Sequence, residues 1–172
     1  MSTVALAPEP VALPTGERVE LHLMDPADAG ALVEFHEGLS NETTYLRFFS
    51  AHPRLSAREL DHFTQVDHLD REALVACKDG CILAVGRYDR RCGADDAEVA
   101  FVVADAWQGH GLGSLLLRRL AELARARGVR RLTAETLAIN GKMLEVFRLS
   151  GLSMTTTPCS DGVVHVVLEL EP

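Results

Sequence analysis

Residues 102–124 read VVADAWQGHGLGSLLLRRLAELA. An apolar run passes through Gly109, Gly111 and Gly113 into a leucine-rich segment. Extended back to Ala97, the first part has the make-up of a buried strand. Leu112, Leu115, Leu116, Leu120, Leu123 and Ala124 then recur with the helical period, and Arg118, Arg119, Glu122 and Arg125 take the other face. The pattern predicts a helix over about 111–127, ended by Gly128. A strand that feeds a helix through glycines has a physical use. The first helical turn leaves N–H groups unpaired in a positive field, and glycine lets an anion approach the backbone. The junction therefore points to a phosphate-bearing ligand, against the plain alternative of a tight turn that binds nothing. A triphosphate loop would need Lys and then Ser or Thr after its last glycine, and Ser114 and Leu115 stand there instead. A dinucleotide fingerprint belongs at the start of a βαβ series with an acidic residue about 20 positions on, and Glu135 is weak support for it.

Outward from this junction the chain alternates between strand and helix patterns. RVELHLM (18–24) reads as a strand, followed by Asp25-Pro26, a cap and an N1 proline, at the head of a helix. NETTYLRFF and SARELDHFTQ form a second helical zone, divided by Pro53, with Ser56 and Glu59 spaced as a capping box. EALVAC and CILAVGRYDR are strands joined by the hairpin dipeptide Asp79-Gly80. After the long helix come a strand at RRLTAET, a short helix from Asn140 to Gly151, and a last strand VVHVVLEL paired with LSMTTT. The order β-α-α-β-β-β-α-β-α-β-β is α+β, or mixed α/β, in class.

The 172 residues fit one domain, and 47% hydrophobic content permits a packed core. Residues 1–16 lack a basic start and an unbroken apolar stretch, so they are no secretory signal and read as a mobile N-terminal tail or an extended arm. Residues 17–172 then form the single domain. No stretch approaches the roughly 18 apolar residues of a membrane span. Seventeen Lys and Arg against 25 Asp and Glu give a net charge of -8, which argues against a nucleic-acid partner. Cys77, Cys81, Cys92 and Cys159 lack a paired zinc spacing and read as free thiols of a reducing cytoplasm. Asp61, His62, Asp67 and His68 match no ligand pattern, so no metal is expected.

Gln108-Gly109-His110-Gly111-Leu112-Gly113, after the fourth strand and opening a main helix, resembles the Gln/Arg-x-x-Gly-x-Gly/Ala motif of the GNAT superfamily of N-acyltransferases. The resemblance covers residues 17–170. It implies a mostly antiparallel central sheet, splayed between its fourth and fifth strands and flanked by helices, with acetyl-CoA as cosubstrate. It also implies that the loop of Gln108, Gly109, His110, Gly111, Leu112, Gly113 and Ser114 binds the cofactor, its amides holding the pyrophosphate. Val102 and Val103 would offer main-chain groups to the pantetheine arm, and Asn140 matches a position where an Asn often contacts the cofactor. SNETTYLRFF, VDHLDREALVA and NGKMLEVFRLSGL look in particular like bacterial protein-lysine acetyltransferases of this type. Some of these carry a regulatory or synthetase-like domain, for which 172 residues leave no room, so such control is expected to be absent or supplied in trans.

Acetyl transfer requires a neutral amine, and deprotonating a lysine at neutral pH costs about 4.6 kcal/mol. A base must assist. Glu98, on the strand leading to the loop, matches the glutamate assigned that role in the protein-acetyltransferase branch. Strand alternation puts Glu98, Ala100 and Val102 on one face unless a bulge intervenes. The bland alternative is a solvated carboxylate beside Asp95 and Asp96. Many relatives use a Tyr four residues before the glycine that follows the later helix, and Phe147 stands there. Ser150 and Tyr88 are the remaining hydroxyl candidates. Tyr45 and Arg47 are candidates for the wall of the acceptor site, and Trp107 reads as a packing residue.

The expectation is thus an acetyl-CoA-dependent N-acetyltransferase acting on protein lysines, as monomer or homodimer. Two alternatives stand: the same chemistry on a small amine, and an acyl-CoA sensor without turnover.

Overall fold

A computed structural model of the chain describes residues 7–170. It contains strands β1 (Glu9–Ala12), β2 (Arg18–Leu23), β3 (Arg71–Lys78), β4 (Cys81–Arg90), β5 (Asp96–Val103), β6 (Arg131–Leu137), β7 (Ser153–Pro158) and β8 (Val163–Glu169). Its helices are α1 (Ala29–Glu37), α2 (Asn41–Phe48), α3 (Ala57–Thr64), α4 (Leu112–Ala126) and α5 (Gly141–Arg148). One sheet runs in the order β1-β2-β3-β4-β5-β6-β8-β7. Every pairing is antiparallel except β5–β6, which is parallel and holds only from Asp96↔Arg131 to Glu98↔Thr133. Beyond Glu98 the two strands part. The mixed class and the splay between the fourth and fifth of the expected strands are both present; these are β5 and β6 here.

Local chemistry explains most elements. The β3–β4 turn places Asp79 at φ 51 and Gly80 at φ 78, a conformation that Asp tolerates and Gly adopts freely. Ser56 Oγ accepts from Glu59 N (3.2 Å) while Glu59 Oε2 accepts from Ser56 N (2.8 Å), the reciprocal pair that opens α3. Asp25 and Asp28 make the same arrangement before α1, around a single 3-10 turn at Pro26–Asp28.

The two faces of the sheet are covered differently. α4 packs on one face through Leu112, Leu116, Leu120 and Ala124, against Tyr88, Val99 and Phe101. α1, α2 and α3 cover the other face, where Val85 and Val102 meet Leu32 and Phe35. Gly86 permits the α4 contact. A Cβ there would lie 2.8 Å from Phe101 Cδ1 and 3.1 Å from Leu120 Cδ1. Gly86→Ala is expected to cost about 1–3 kcal/mol through overpacking, read as a lower urea midpoint at unchanged slope.

Of the two N-terminal alternatives, residues 9–12 take the extended one. Residues 9–12 are not a mobile tail but an edge strand on β2. Pro10 is tolerated because the strand has a free side. Leu13 is 4% exposed, Val11 packs on the core, and Glu9 Oε1 accepts from Arg119 Nη2 at 2.6 Å. Burying a leucine is worth about 1.5–3 kcal/mol, enough to hold a short segment. Residues 1–6 and the last two of the expected domain lie outside the described residues.

Candidate active site

The parting of β5 and β6 opens a cleft of about 840 Å³. Its walls are β5, the β5–α4 loop, the first turn of α4, α5 and one face of α2. Glu98 sits at the last paired position of β5, exposed, with its side chain on the cleft. Pairing with β4 runs without a bulge from Ala97 to Val103, so Glu98, Ala100 and Val102 do share a face.

The α4 end of the cleft is a row of donors. Gly111 caps the helix at φ 90 with no side-chain acceptor, and Gly109 has φ 80. Among the described residues no acceptor bonds the amides from Gly109 to Ser114, and the first helical amide bonded is Leu115 N, to Gly111 O (3.0 Å). A Cβ on Gly111 would meet Pro14 Cδ at 3.2 Å, and one on Gly113 would meet Val146 at 3.4 Å. The three glycines thus do different things: Gly109 faces open space, Gly111 carries the positive φ against the β1–β2 turn, and Gly113 lets α5 approach α4. Positive potential from the uncapped helix adds to the donors, so this end suits a diphosphate.

The model of the acetyltransferase (GNAT) family matches residues 35–152. The chain belongs to this family. The Acetyltransferase Pat of Mycolicibacterium smegmatis is 34% identical over 170 residues, which are 97% of this chain and 50% of the relative. The crystal structure of the GNAT domain of S. lividans PAT superposes with a TM-score of 0.88 at 40% identity, covering 94% of this chain and 96% of that one. The cAMP-binding acyltransferase from Mycobacterium smegmatis gives 0.68 at 30% identity over 96% of this chain and 48% of that one. This GNAT chain therefore spans about half the length of that Pat relative. It is an acyltransferase domain.

The acetyltransferase cleft gathers Glu98, Val102, Val103, Gln108, Gly109, Gly111, Leu112, Gly113, Ser114, Asn140 and Arg47. It does not gather His110 or Tyr45. The His110 ring turns outward, 5.3 Å from the Trp107 ring and 3.8 Å from Glu17 Oε2, so only its amide belongs to the loop. Tyr45 stands two residues from Arg47, about 200° around α2, and is 45% exposed on the far side. Val102 is corrected in part. Ala104 N donates to Leu83 O (2.8 Å), and the antiparallel ladder alternates from there. Val102 therefore spends its main-chain groups on β4 and offers the cleft only its side chain. The main-chain groups turned to the gap are those of Val103 and, two residues back, Phe101, which sequence reading missed.

Gln108 is a brace. Its Nε2 donates to Thr43 Oγ1 (3.1 Å) and Val103 O (3.2 Å), and its Oε1 accepts from Lys142 Nζ (3.1 Å). Asn140 caps α5, its Oδ1 accepting from Met143 N at 3.2 Å. Asp105 ties the loop to α2: its carboxylate accepts from Ser40 N (2.9 Å), Ser40 Oγ (2.6 Å) and Thr43 Oγ1 (2.8 Å). Burial pushes this carboxyl up, but the Ser40 and Thr43 bonds outweigh it and hold it below the ordinary range. A folded-state value below the unfolded one means the stabilisation is complete above about pH 4 and is lost as pH falls through the folded value. Asp105→Asn is expected to lower the urea midpoint at pH 7, with the gap to wild type closing toward pH 3.

The hydroxyl candidates for protonating a leaving group are absent from the cleft. Tyr88 is fully buried, donating to Leu69 O (3.3 Å) and accepting from Arg127 Nη1 (2.9 Å). Ser150 Oγ donates to Phe147 O at 2.6 Å. Phe147 lies against Phe101 at 6.2 Å, in the core beneath the cleft. All four cysteines are free. No group of three or more His, Cys, Asp and Glu among the described residues is placed to hold a metal, and no helix among them is long and apolar enough to cross a membrane.

Proposed function

We propose that the chain is an acetyl-CoA-dependent N-acetyltransferase whose acceptor is a protein lysine, with Glu98 as general base. The observation that carries this reading is the exposed Glu98 carboxylate at the point where β5 leaves β6, in one cleft with the unpaired amides of Gly109–Ser114. Those amides suit the pyrophosphate of acetyl-CoA, and the main-chain groups of Val103 and Phe101 suit the amides of its arm. When bound, acetyl-CoA supplies an acetyl group activated as a thioester. Glu98 takes a proton from the acceptor ammonium, directly or through one water, and the neutral amine so formed attacks the thioester carbonyl. With Phe147 apolar and Tyr88 and Ser150 held elsewhere, the thiol leaves as a thiolate, since its pKa is about 8.5. The likeness to the Acetyltransferase Pat of Mycolicibacterium smegmatis and to the GNAT domain of S. lividans PAT supports a protein substrate.

The test is incubation of the purified chain with acetyl-CoA and a mixture of proteins and small amines, read by mass spectrometry. Acetylated lysines that appear only with active protein are the expected result. Modification of small amines alone would overturn the substrate assignment. Binding of CoA with no product would replace the enzyme with a sensor.

A further inference from the structure

A second, smaller hollow opens off the cleft between α1, α2, α3 and the sheet. It holds about 30 Å³, room for a carboxylate or a pair of waters, and shares Arg47, Phe48, Ala100 and Val102 with the cleft. Arg47 and Arg87 both line it. Arg87 is 9% exposed and makes one hydrogen bond, from Nη2 to Phe63 O (3.3 Å), with its guanidinium 4.2 Å over the Phe63 ring. Arg47 lies 4.8 Å over Phe48. Neither has a carboxylate within ion-pair distance among the described residues, although eleven other basic side chains do. The nearby Asp89 is held by Arg71 (3.8 Å) and His62 (3.7 Å).

Arg87 is a buried cation with no ion-pair partner, set beside the half-buried Arg47, whose main carboxylate attraction is Glu98 in the cleft, and such an arrangement is costly as packing. A Met would cover Phe63 without the loss of hydration. What recovers that cost is an anion, and a guanidinium fork matches a carboxylate in two parallel bonds. We infer that Arg47 and Arg87 form a carboxylate-binding subsite for the amine acceptor, and that the enzyme favours lysines with an Asp or Glu beside them. The inference rests on the proposed reaction at Glu98. Burial first, and then Arg47, pulls Arg87 down to about 10, which leaves it cationic at neutral pH. Ala100, on the hollow, is two residues from Glu98 along β5, roughly 7 Å. That span exceeds the separation of the α-amine and carboxylate within one amino acid. It fits a lysine ε-amine at Glu98 with a neighbouring acidic side chain in the hollow.

The test uses a single-lysine peptide with Glu beside the lysine and its Gln twin, assayed with acetyl-CoA. The expected kcat/KM ratio is at least about tenfold in favour of Glu, carried mainly by KM, and it falls toward one in Arg87→Met and Arg47→Met. Arg87→Lys, which keeps the charge in a folded core, is expected to retain part of the ratio. Calorimetric titration of the two acetylated peptides in the presence of CoA reads the same preference without turnover. Turnover of both peptides at equal kcat/KM, or a ratio unchanged in the variants, would overturn the subsite and leave the acetyltransferase reading intact. A calorimetric preference with no acetylation would do the reverse. Free lysine preferred over cadaverine, with the peptides equal, would overturn the peptide assignment.

Discussion

Glu98→Gln is expected to lower kcat/KM for a lysine acceptor by about 10²- to 10⁴-fold at pH 7, the range typical of losing a general base. Glutamine keeps the shape and exposure of the residue, so affinity for acetyl-CoA, carried at the far end of the cleft, is expected to hold. Stopped assays across pH supply the discriminating readout. Without a base the reaction depends on amine that is already neutral, a fraction that grows tenfold per pH unit below about 10.4. The deficit of the variant should therefore shrink steadily from pH 7 to pH 9. A deficit that stays constant over that range would place Glu98 in binding or electrostatics and remove it as the base.

The largest expected effect on stability lies away from the cleft. Glu72 is fully buried at the start of β3, its carboxylate bonded to His68 Nδ1 (2.8 Å) and paired with Arg127 Nη1 (3.1 Å) at the end of α4. Arg127 also donates to Tyr88 Oη. This cluster clamps α4, and with it the loop of amides, to the sheet. Arg127→Met leaves a buried carboxylate without its strongest partner and is expected to cost about 3–5 kcal/mol. At about 2–4 °C per kcal/mol for a chain of this size, the melting temperature falls by roughly 6–20 °C. Adding Glu72→Gln should recover much of the loss, because the burial of an unpaired charge, and not the missing contact, is the main cost. Calorimetry of both variants checks this, and equal melting temperatures for wild type and Arg127→Met would refute it.

How far each feature was legible in the sequence depends on the range of the force behind it. The Asp79-Gly80 hairpin, the Ser56–Glu59 capping box, the Asn140 cap and the period of α4 are settled within a few residues by backbone sterics and spacing. The motif from Gln108 to Gly113 was recognisable for the same reason, and through it the family. Other features depend on which surfaces meet. Residues 9–12 read as part of a tail or an extended arm because Pro8, Pro10 and Pro14 break their short apolar patches; β2 and Arg119 make them a strand. Tyr45 and Arg47 looked equivalent as neighbours, and the seating of α2 on the sheet turned one outward and one inward.

By itself, then, the sequence determined the types of the elements from β2 onward, the mixed class, the glycine junction and the family, because those rest on local conformational preference and short spacings. The tertiary structure alone decided that Gln108 and Asp105 lock the loop to α2, that the main-chain groups of Phe101 face the gap, and that Arg87 lies buried without a carboxylate. Those outcomes come from contacts between residues up to 65 positions apart. Such contacts depend on the shapes of packed surfaces, which no window of the chain contains.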